Sequence, residues 1–267
     1  MLVLSPPQIE FHTLSDAGPT RDNNEDHCAA VVLAGEGGST LLLIVADGLG
    51  GHKAGEVASR LAVETVIAEA EREGSPLGER FLSRAVQAAN LAVFNHGHDD
   101  PDCFNMQTTI STIALQQDRL LLAHVGDCRV FRVRQGQIQQ LTTDHTRITE
   151  MLRMRLITPE QALRHPARNM LTRSLGADLI LQVDTLRERA LSGDIYVICT
   201  DGLWNEVSSE EIRRAVSDQP VQGACERLLA LGAERGASDN MTIGVARVHE
   251  TGSATSAAPR WKAWFSR

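Results

Sequence analysis

Short apolar, β-branched runs alternate along the chain with stretches whose apolar positions fall three and four residues apart. The runs predict strands at 28–34 (CAAVVLA), 40–46 (TLLLIVA), 108–115 (TTISTIAL), 119–125 (RLLLAHV), 128–134 (CRVFRVR), 180–186, 194–199 (DIYVIC) and 241–248 (MTIGVARV). Gly136, in RQGQ, marks a hairpin turn. Helical spacing is carried by Val57, Leu61, Ala62, Thr65 and Val66, and again by Phe81, Leu82, Ala85, Ala89 and Ala92, with Gly74-Ser75-Pro76 breaking the two apart. Two further helices fit 208–217 and 220–234. Segment 146–170 is polar and rich in Arg and Met, punctuated by Pro159 and Pro166, and reads as short helices in a mobile excursion.

Strands joined directly, with helices arriving in pairs, predict antiparallel sheets with helices packed outside. Strict strand–helix alternation would have predicted a parallel sheet. The expected class is therefore an α+β layered sandwich. The pattern runs unbroken from about residue 10 to 249 with no internal repeat or linker, so one domain is expected over 1–249. Beyond it, TGSATSAAP reads as a flexible linker and RWKAWFSR as an aromatic-basic tail, together 250–267. The tail is either a frayed terminus or a docking peptide for a protein or membrane surface.

Composition narrows the class of partner. The 267 residues are 42% hydrophobic and 22% charged, ample for a core, and the net charge of −8 gives no global attraction to nucleic acid or anionic membranes. The five cysteines are scattered and never form a C-x-x-C pair, against a zinc ribbon or a secreted disulfide framework. The longest purely apolar run, Leu41 to Ala46, is far short of the ~20 residues of a membrane helix, and the N-terminus lacks the features of a signal peptide. A cytoplasmic protein without a transmembrane segment is expected.

The informative chemistry is one local design used repeatedly. LLLIVA stops at Asp47-Gly48, LLAHVG at Asp127, and IYVICT at Asp201-Gly202; Asp239-Asn240 precedes the last strand and Glu25-Asp26 the first. One Asp-Gly pair is most simply a turn former. An acid at one end of most main strands is another matter, because a sheet brings strand ends together. Converged carboxylates repel unless a cation sits among them. Oxygen donors without clustered His or Cys favour Mg²⁺ or Mn²⁺ over zinc, and glycine after Asp47 lets a backbone carbonyl approach such an ion. Two ions so held would activate water and clamp a phosphoryl group. Arg21, four residues before Glu25, offers a planar guanidinium for the phosphate.

The stretches SDAGPTRDNNED (15–26), VADGLGGHKAGEVAS (45–59), TTISTIAL (108–115), AHVGDCRVFR (123–132), LTTDHT (141–146), LTRSLGA (171–177), ICTDGLWNEVS (198–208) and SDNMTIGVARV (238–248) together resemble the metal-dependent protein phosphatase family of the protein phosphatase 2C type, in its bacterial form. They follow the family's order and cover about residues 12–248. The resemblance implies a four-layer αββα sandwich, two central antiparallel sheets flanked by helix pairs. It implies that Asp47 bridges two Mg²⁺ or Mn²⁺ ions with the Gly48 carbonyl on the first, that Asp201 and Asp239 hold the second, and that Asp26 assists directly or through water. Asp127, with Asp201, matches a third, weaker metal position. Arg21 would bind the substrate phosphate, Glu25 and Asn240 would support the site, and 146–170 would form a flap beside it.

The activity so implied is hydrolysis of phosphoserine and phosphothreonine in proteins by a metal-activated water, without a phosphoenzyme, opposing a cytoplasmic Ser/Thr kinase. A monomer is expected, with the kinase and its substrates as partners. The animal-type family has a histidine directly after Asp-Gly; here that position is Leu49, so His52 or a metal-bound water remains as proton donor to the leaving alkoxide. Cys128 stands where serine is usual and reads as a small buried strand residue. A non-catalytic phosphoprotein-binding relative would be expected to have lost metal ligands, and none is missing; a hydrolase of small phosphate esters shares the same motifs and is separated only by substrate tests.

Other signals carry less. GLGGHKAG (48–55) fails the phosphate-loop pattern because Ala54 follows Lys53, and no G-x-S-x-G elbow exists. His96, His98, Asp99 and Asp100 have donors for a transition metal but read as a solvated helix end and loop.

Overall fold

The computed structural model describes residues 8–35, 38–49, 53–162, 165–167 and 169–250. His52 and the tail from 251 onward, both singled out above, lie outside the described residues. Eleven strands occur in the order β1 (Gln8–Asp16), β2 (Asp26–Leu33), β3 (Thr40–Leu49), β4 (Gln107–Thr108), β5 (Ile110–Gln116), β6 (Arg119–Val125), β7 (Arg129–Arg134), β8 (Gln137–Gln140), β9 (Asp184–Arg189), β10 (Ile195–Cys199) and β11 (Met241–Glu250) among the described residues. Helices α1 (Lys53–Glu73) and α2 (Phe81–Asp99) fall between β3 and β4, and the short α3 (Arg147–Arg153) and α4 (Pro159–Ala162) between β8 and β9. The single turn α5 (Asp201–Trp204) follows β10, and α6 (Ser209–Asp218) and α7 (Val221–Glu234) lead to β11.

The alternation of side chains along β3 sets the layers. Leu42, Ile44 and Ala46 face α1 and α2, joining Ala58, Ala62, Val66 and Ala85 in one core. Leu41, Leu43 and Val45 face the other way, into a second core with Tyr196, Ile198, Val130 and Ala246 of the opposite sheet. On β10 the pattern repeats in mirror sense: Tyr196 and Ile198 point between the sheets, while Ile195, Val197 and Cys199 pack against Leu203, Val216, Leu228 and other residues of the α5–α7 side. A strand buried on both faces reads as a continuous apolar run, and each wholly buried leucine or isoleucine contributes about 1.5–3 kcal/mol of burial. The result is helix pair, sheet, sheet, helix pair, the four-layer sandwich expected.

One sheet has the order β1-β11-β10-β7-β8, the other β2-β3-β5-β6-β9 with β4 paired to β3 beside it. Every strand pair is antiparallel among the described residues. The hairpin at Gly136 is present: Gln135 and Gly136 both have positive φ, 52° and 74°, between the partners Arg134 and Gln137. α6 opens on a capping box, in which Ser208 and Glu211 satisfy each other's backbone N–H.

Three differences from the sequence reading have local causes. β1 was not predicted because its polar residues interrupt the apolar pattern (QIEFHTLSD); it holds its place as an edge strand on β11. β8 (QIQQ) is equally inconspicuous and forms by virtue of the hairpin turn. The strand expected at 180–186 begins instead at Asp184, since Ile180 is 90% exposed and the alternating DTLRER segment is what pairs with β6.

Candidate active site at one edge of the two sheets

Antiparallel topology brings the strand-terminal acids to one end of the sandwich. β2 starts at Asp26 and β3 reaches Asp47 at the same level, because Asp26 and Asp47 are ladder partners. Asp127 lies in the turn joining β6 to β7, Asp201 directly beyond β10, and Asp239 just before β11. Arg21, Glu25, Asp47, Gly48, Asp127, Asp201, Asp239 and Asn240 line one cavity of about 250 Å³, with Leu49 and, from beyond α4, Asn169 and Leu171. Asp26 lies beneath, 7% exposed. Of the residues expected from sequence, the cavity therefore gathers all but Asp26, which is packed under it, and His52, which is outside the described residues.

Hydroxyls from the opposite sheet hold the buried Asp26. The Asp26 carboxylate accepts hydrogen bonds from Thr242 Oγ1 (2.7 Å) and Thr200 Oγ1 (2.9 Å). Thr200 and Thr242 are themselves tied, Thr242 N–H donating to Thr200 Oγ1 at 3.0 Å. Behind Asp47, the backbone N–H donates to Thr109 Oγ1 (3.0 Å) and the carbonyl accepts from Thr108 Oγ1 (2.8 Å), which fixes the strand end and leaves the carboxylate facing the other acids. Gly48 cannot be replaced there: a Cβ would overlap the carbonyls of Gly55 and Glu25.

The loops are pinned from the rim. Asn240 Oδ1 accepts from the Glu25 N–H (2.9 Å), and its Nδ2 donates to the carbonyls of Ala17 (2.9 Å) and Asn23 (2.8 Å), so one side chain orders the whole β1–β2 loop. Arg21 donates through Nε to the Ser238 carbonyl (3.2 Å) and through Nη2 to Asp239 (3.0 Å). On the far side, Trp204 Nε1 donates to the Asp127 carbonyl at 3.0 Å. The Arg129 guanidinium lies 3.5 Å above that indole ring and donates to Asp144 at 2.7 Å.

The charge balance of the cavity is the test of a metal. Burial pushes the Asp26 carboxyl up to about 7, against its hydroxyl hydrogen bonds and with the help of the Asp201 and Asp239 charges. Burial, then the charges of Asp26 and Asp201, drives Asp47 well above its ordinary value. Asp127 is raised to about 7, again by burial first and then by Asp201, and Asp201 is raised by burial and by Asp239. Among the described residues, the one cationic side chain lining the cavity is Arg21, at the rim. Acids in this state are either partly protonated or neutralised by cations, and the all-oxygen donor set fits hard divalent ions such as Mg²⁺ and Mn²⁺.

Sequence reasoning missed Thr200, Thr242 and Thr109, whose role exists only through partners from distant strands. It also missed Trp204, Asn169 and Leu171. TDGLW placed Trp204 beside Asp201, but nothing in the spacing reveals its bond to Asp127.

Comparison with known proteins gives a consistent picture. A family model described as Protein phosphatase 2C matches residues 20–242. The serine/threonine protein phosphatase PstP of Mycobacterium tuberculosis is 38% identical over 242 residues, which cover 90% of this chain and 45% of that protein. The chain thus spans under half the length of this relative. The protein phosphatase PhpP of Streptococcus pneumoniae is 32% identical over 91% of this chain and 98% of its own length. Among solved structures, the PstP catalytic domain in complex with two manganese ions superposes with a TM-score of 0.78 at 34% identity, covering 91% of this chain and 99% of that one.

Proposed function

The chain belongs to the protein phosphatase 2C family, and from that membership we propose that it is a metal-dependent protein phosphatase hydrolysing phosphoserine and phosphothreonine. The observation that carries this reading is the convergence of Asp47, Asp127, Asp201 and Asp239 on one cavity with Arg21 at its rim. Asp47, the Gly48 carbonyl, Asp201 and Asp239 would hold two Mg²⁺ or Mn²⁺ ions, with Asp26 in support and Asp127 joining Asp201 at a third, weaker position. Ions bound there lower the pKa of water and offset the charge on a phosphoryl group.

The protein's own residues supply the rest. Arg21 binds the phosphate oxygens. Its Nε and one Nη are already held by Ser238 and Asp239, so the plane of the guanidinium is set before substrate arrives. Asn240 and Glu25 keep the loop bearing Arg21 in register with β2. Thr200 and Thr242 orient the Asp26 carboxylate. His52 is the candidate donor of a proton to the leaving alkoxide, with solvent in the site as the alternative. Asn169 and Leu171 bring the end of the 146–170 flap to the cavity mouth, where the flanking residues of a phosphoprotein would pass.

We take 1–249 as the catalytic unit, acting as a monomer in the cytoplasm opposite a Ser/Thr kinase. No helix among the described residues is long and apolar enough to cross a membrane. The test is hydrolysis of p-nitrophenyl phosphate and of a phosphothreonine peptide with Mn²⁺, Mg²⁺ or chelator, beside Asp201→Asn. Metal-dependent peptide turnover lost in the variant is expected. Turnover of the small ester alone would point to a small-molecule phosphatase, and none from folded protein would leave a phosphoprotein-binding module.

A further inference from the structure

The C-terminal end of α2 gathers three side chains of different donor chemistry, none of which lines the carboxylate cavity. His96 and Asp100 are four residues apart, so their side chains share one helix face, with His96 Nε2 3.9 Å from Asp100 Oδ2. The chain then folds back through a 3₁₀ turn, Pro101–Cys103. That turn brings the buried Cys103 thiol to the same face, within hydrogen-bonding reach of the Asp100 carboxylate. The imidazole nitrogen, carboxylate oxygen and thiol sulfur all lie within 4.8 Å of one another.

The backbone carrying these groups is tied at each step. The Asp100 N–H donates to the His96 carbonyl and the Cys103 N–H to the Asp100 carbonyl, both at 3.0 Å. Asp100 Oδ1 is taken by the Asp102 N–H at 3.0 Å, which leaves Oδ2 toward His96. Gly97 permits the turn to lie this close, since a Cβ there would meet the Cys103 carbonyl at 3.2 Å.

We propose that His96, Asp100 and Cys103 form a second cation site, for a borderline divalent ion of the zinc class. A nitrogen–oxygen–sulfur donor set suits Zn²⁺ or Co²⁺ and is a poor match for Mg²⁺ or Mn²⁺, the reverse of the oxygen-only cavity. Donors around a tetrahedral zinc stand roughly 3.3–3.8 Å apart, so the three groups need move only by small side-chain rotations. His96 and Asp100 are 43% and 44% exposed, giving an ion access and solvent as fourth ligand, while Cys103 is buried beneath. His98 takes no part: its ring stacks on Phe94, and its Nδ1 meets the Phe94 carbonyl at 3.0 Å. The site adjoins the catalytic edge through the backbone. Met106 N–H donates to the Cys103 carbonyl at 3.0 Å, and two residues on Thr108 Oγ1 donates to the Asp47 carbonyl. An ion bound at this site therefore braces the turn that leads into β4.

The experiment titrates Co²⁺ into the full chain held in saturating Mg²⁺ and follows thiolate-to-cobalt charge-transfer absorption. One equivalent is expected to saturate the band, and Zn²⁺ to abolish it by displacement. The band should be absent from Cys103→Ser, retained in Asp201→Asn, and shifted to about tenfold or more higher Co²⁺ in His96→Gln, which loses one of three ligands. No band from the wild-type chain, or one that survives Cys103→Ser, overturns the site. Should Cys103→Ser fail to fold, His96→Gln decides, because His96 is on the exposed face of α2; an unchanged midpoint there is equally fatal.

Discussion

Asp26 and Asp47 stand directly opposite each other on the β2–β3 ladder, one carboxylate buried and the other half-buried at the same level of one sheet. The Asp26 charge raises the proton affinity of Asp47, the Asp201 and Asp239 charges raise that of Asp26, and burial acts more strongly on both. The sign of the pH effect follows. A carboxyl whose folded pKa is near 7 against an ordinary 3.8, as for Asp26, contributes stability that is complete below about pH 4 and lost as pH rises through 7. Metal-free protein is thus expected to melt at lower temperature at pH 8 than at pH 5. Mn²⁺ at a hundredfold over its Kd should restore about 2.7 kcal/mol at pH 8. Asp47→Asn removes one of the repelling charges: metal-free melting should rise by roughly 2–6 °C, while kcat falls about a thousandfold or more. Calorimetry with and without chelator, beside a phosphopeptide assay, checks both; a variant less stable than wild type in chelator would contradict the repulsion argument.

Arg21 and Asp239 are half exposed, 50% and 39%, so their ion pair contributes under about 1 kcal/mol to the fold. The guanidinium should matter for substrate instead. Arg21→Ala is expected to leave melting unchanged within about a degree or two, and to lower kcat/KM for a phosphothreonine peptide by about 10- to 100-fold, the range for charge-assisted hydrogen bonds. Arg21→Lys should recover part of this, since an ammonium restores the charge without the planar fork. Equal loss in both variants would mean that the fork, not the charge, is what the phosphate needs.

The residues of the site differ in how visible they are along the chain. Asp47, Asp127, Asp201 and Asp239 are legible because each ends or opens an apolar strand, and antiparallel strands must bring such ends to one edge. The four layers are legible for the same reason, as continuous apolar runs mark strands covered on both faces. Thr242 is not, because its function is a hydroxyl delivered to Asp26 from 216 residues away, and nothing in an MTIGV strand distinguishes that hydroxyl from any other. β1 escapes because an edge strand needs no apolar run. Cys103 escapes because a lone cysteine acquires neighbours only after the 3₁₀ turn folds it back on α2.

Trp204 illustrates what such hidden contacts do. Its indole N–H is a hydrogen-bond donor to the Asp127 carbonyl, and its ring lies under Arg129, which Asp144 holds in turn. Trp204→Phe keeps a ring for Arg129 but removes the donor. Stability should fall by about 1 kcal/mol, the usual worth of such a bond. The larger effect is expected on the turn bearing Asp127, seen as a higher Mn²⁺ concentration for half-maximal activity with kcat little changed at saturation. A variant that loses kcat at saturating metal would place Trp204 in contact with substrate.

His124 gives a prediction of opposite sign to that for Asp26. It sits wholly buried beneath the Asp127 turn, with Nδ1 2.7 Å from Ser111 Oγ and Nε2 3.2 Å from the Thr143 carbonyl. A carbonyl only accepts, so Nε2 carries the proton; burial disfavours a second proton, and in the neutral ring Nδ1 accepts the serine hydroxyl. Burial, then the charge of His145 with its ring 4.8 Å away, pushes the His124 pKa down to about 3. The unfolded chain takes up a proton below pH 6.5 that the folded chain refuses, so this contribution is complete above 6.5 and lost as pH falls toward 3. By pH 5 the loss reaches about 2 kcal/mol at one proton per molecule. His124→Gln retains an N–H for Thr143 and cannot titrate. The difference in unfolding free energy between wild type and variant, measured at each pH so that the carboxylates cancel, should shrink by about that amount between pH 7 and pH 5. A difference that stays constant with pH would mean that His124 takes up its proton in the fold as it does in the unfolded chain, and the ring would not be neutral at pH 5.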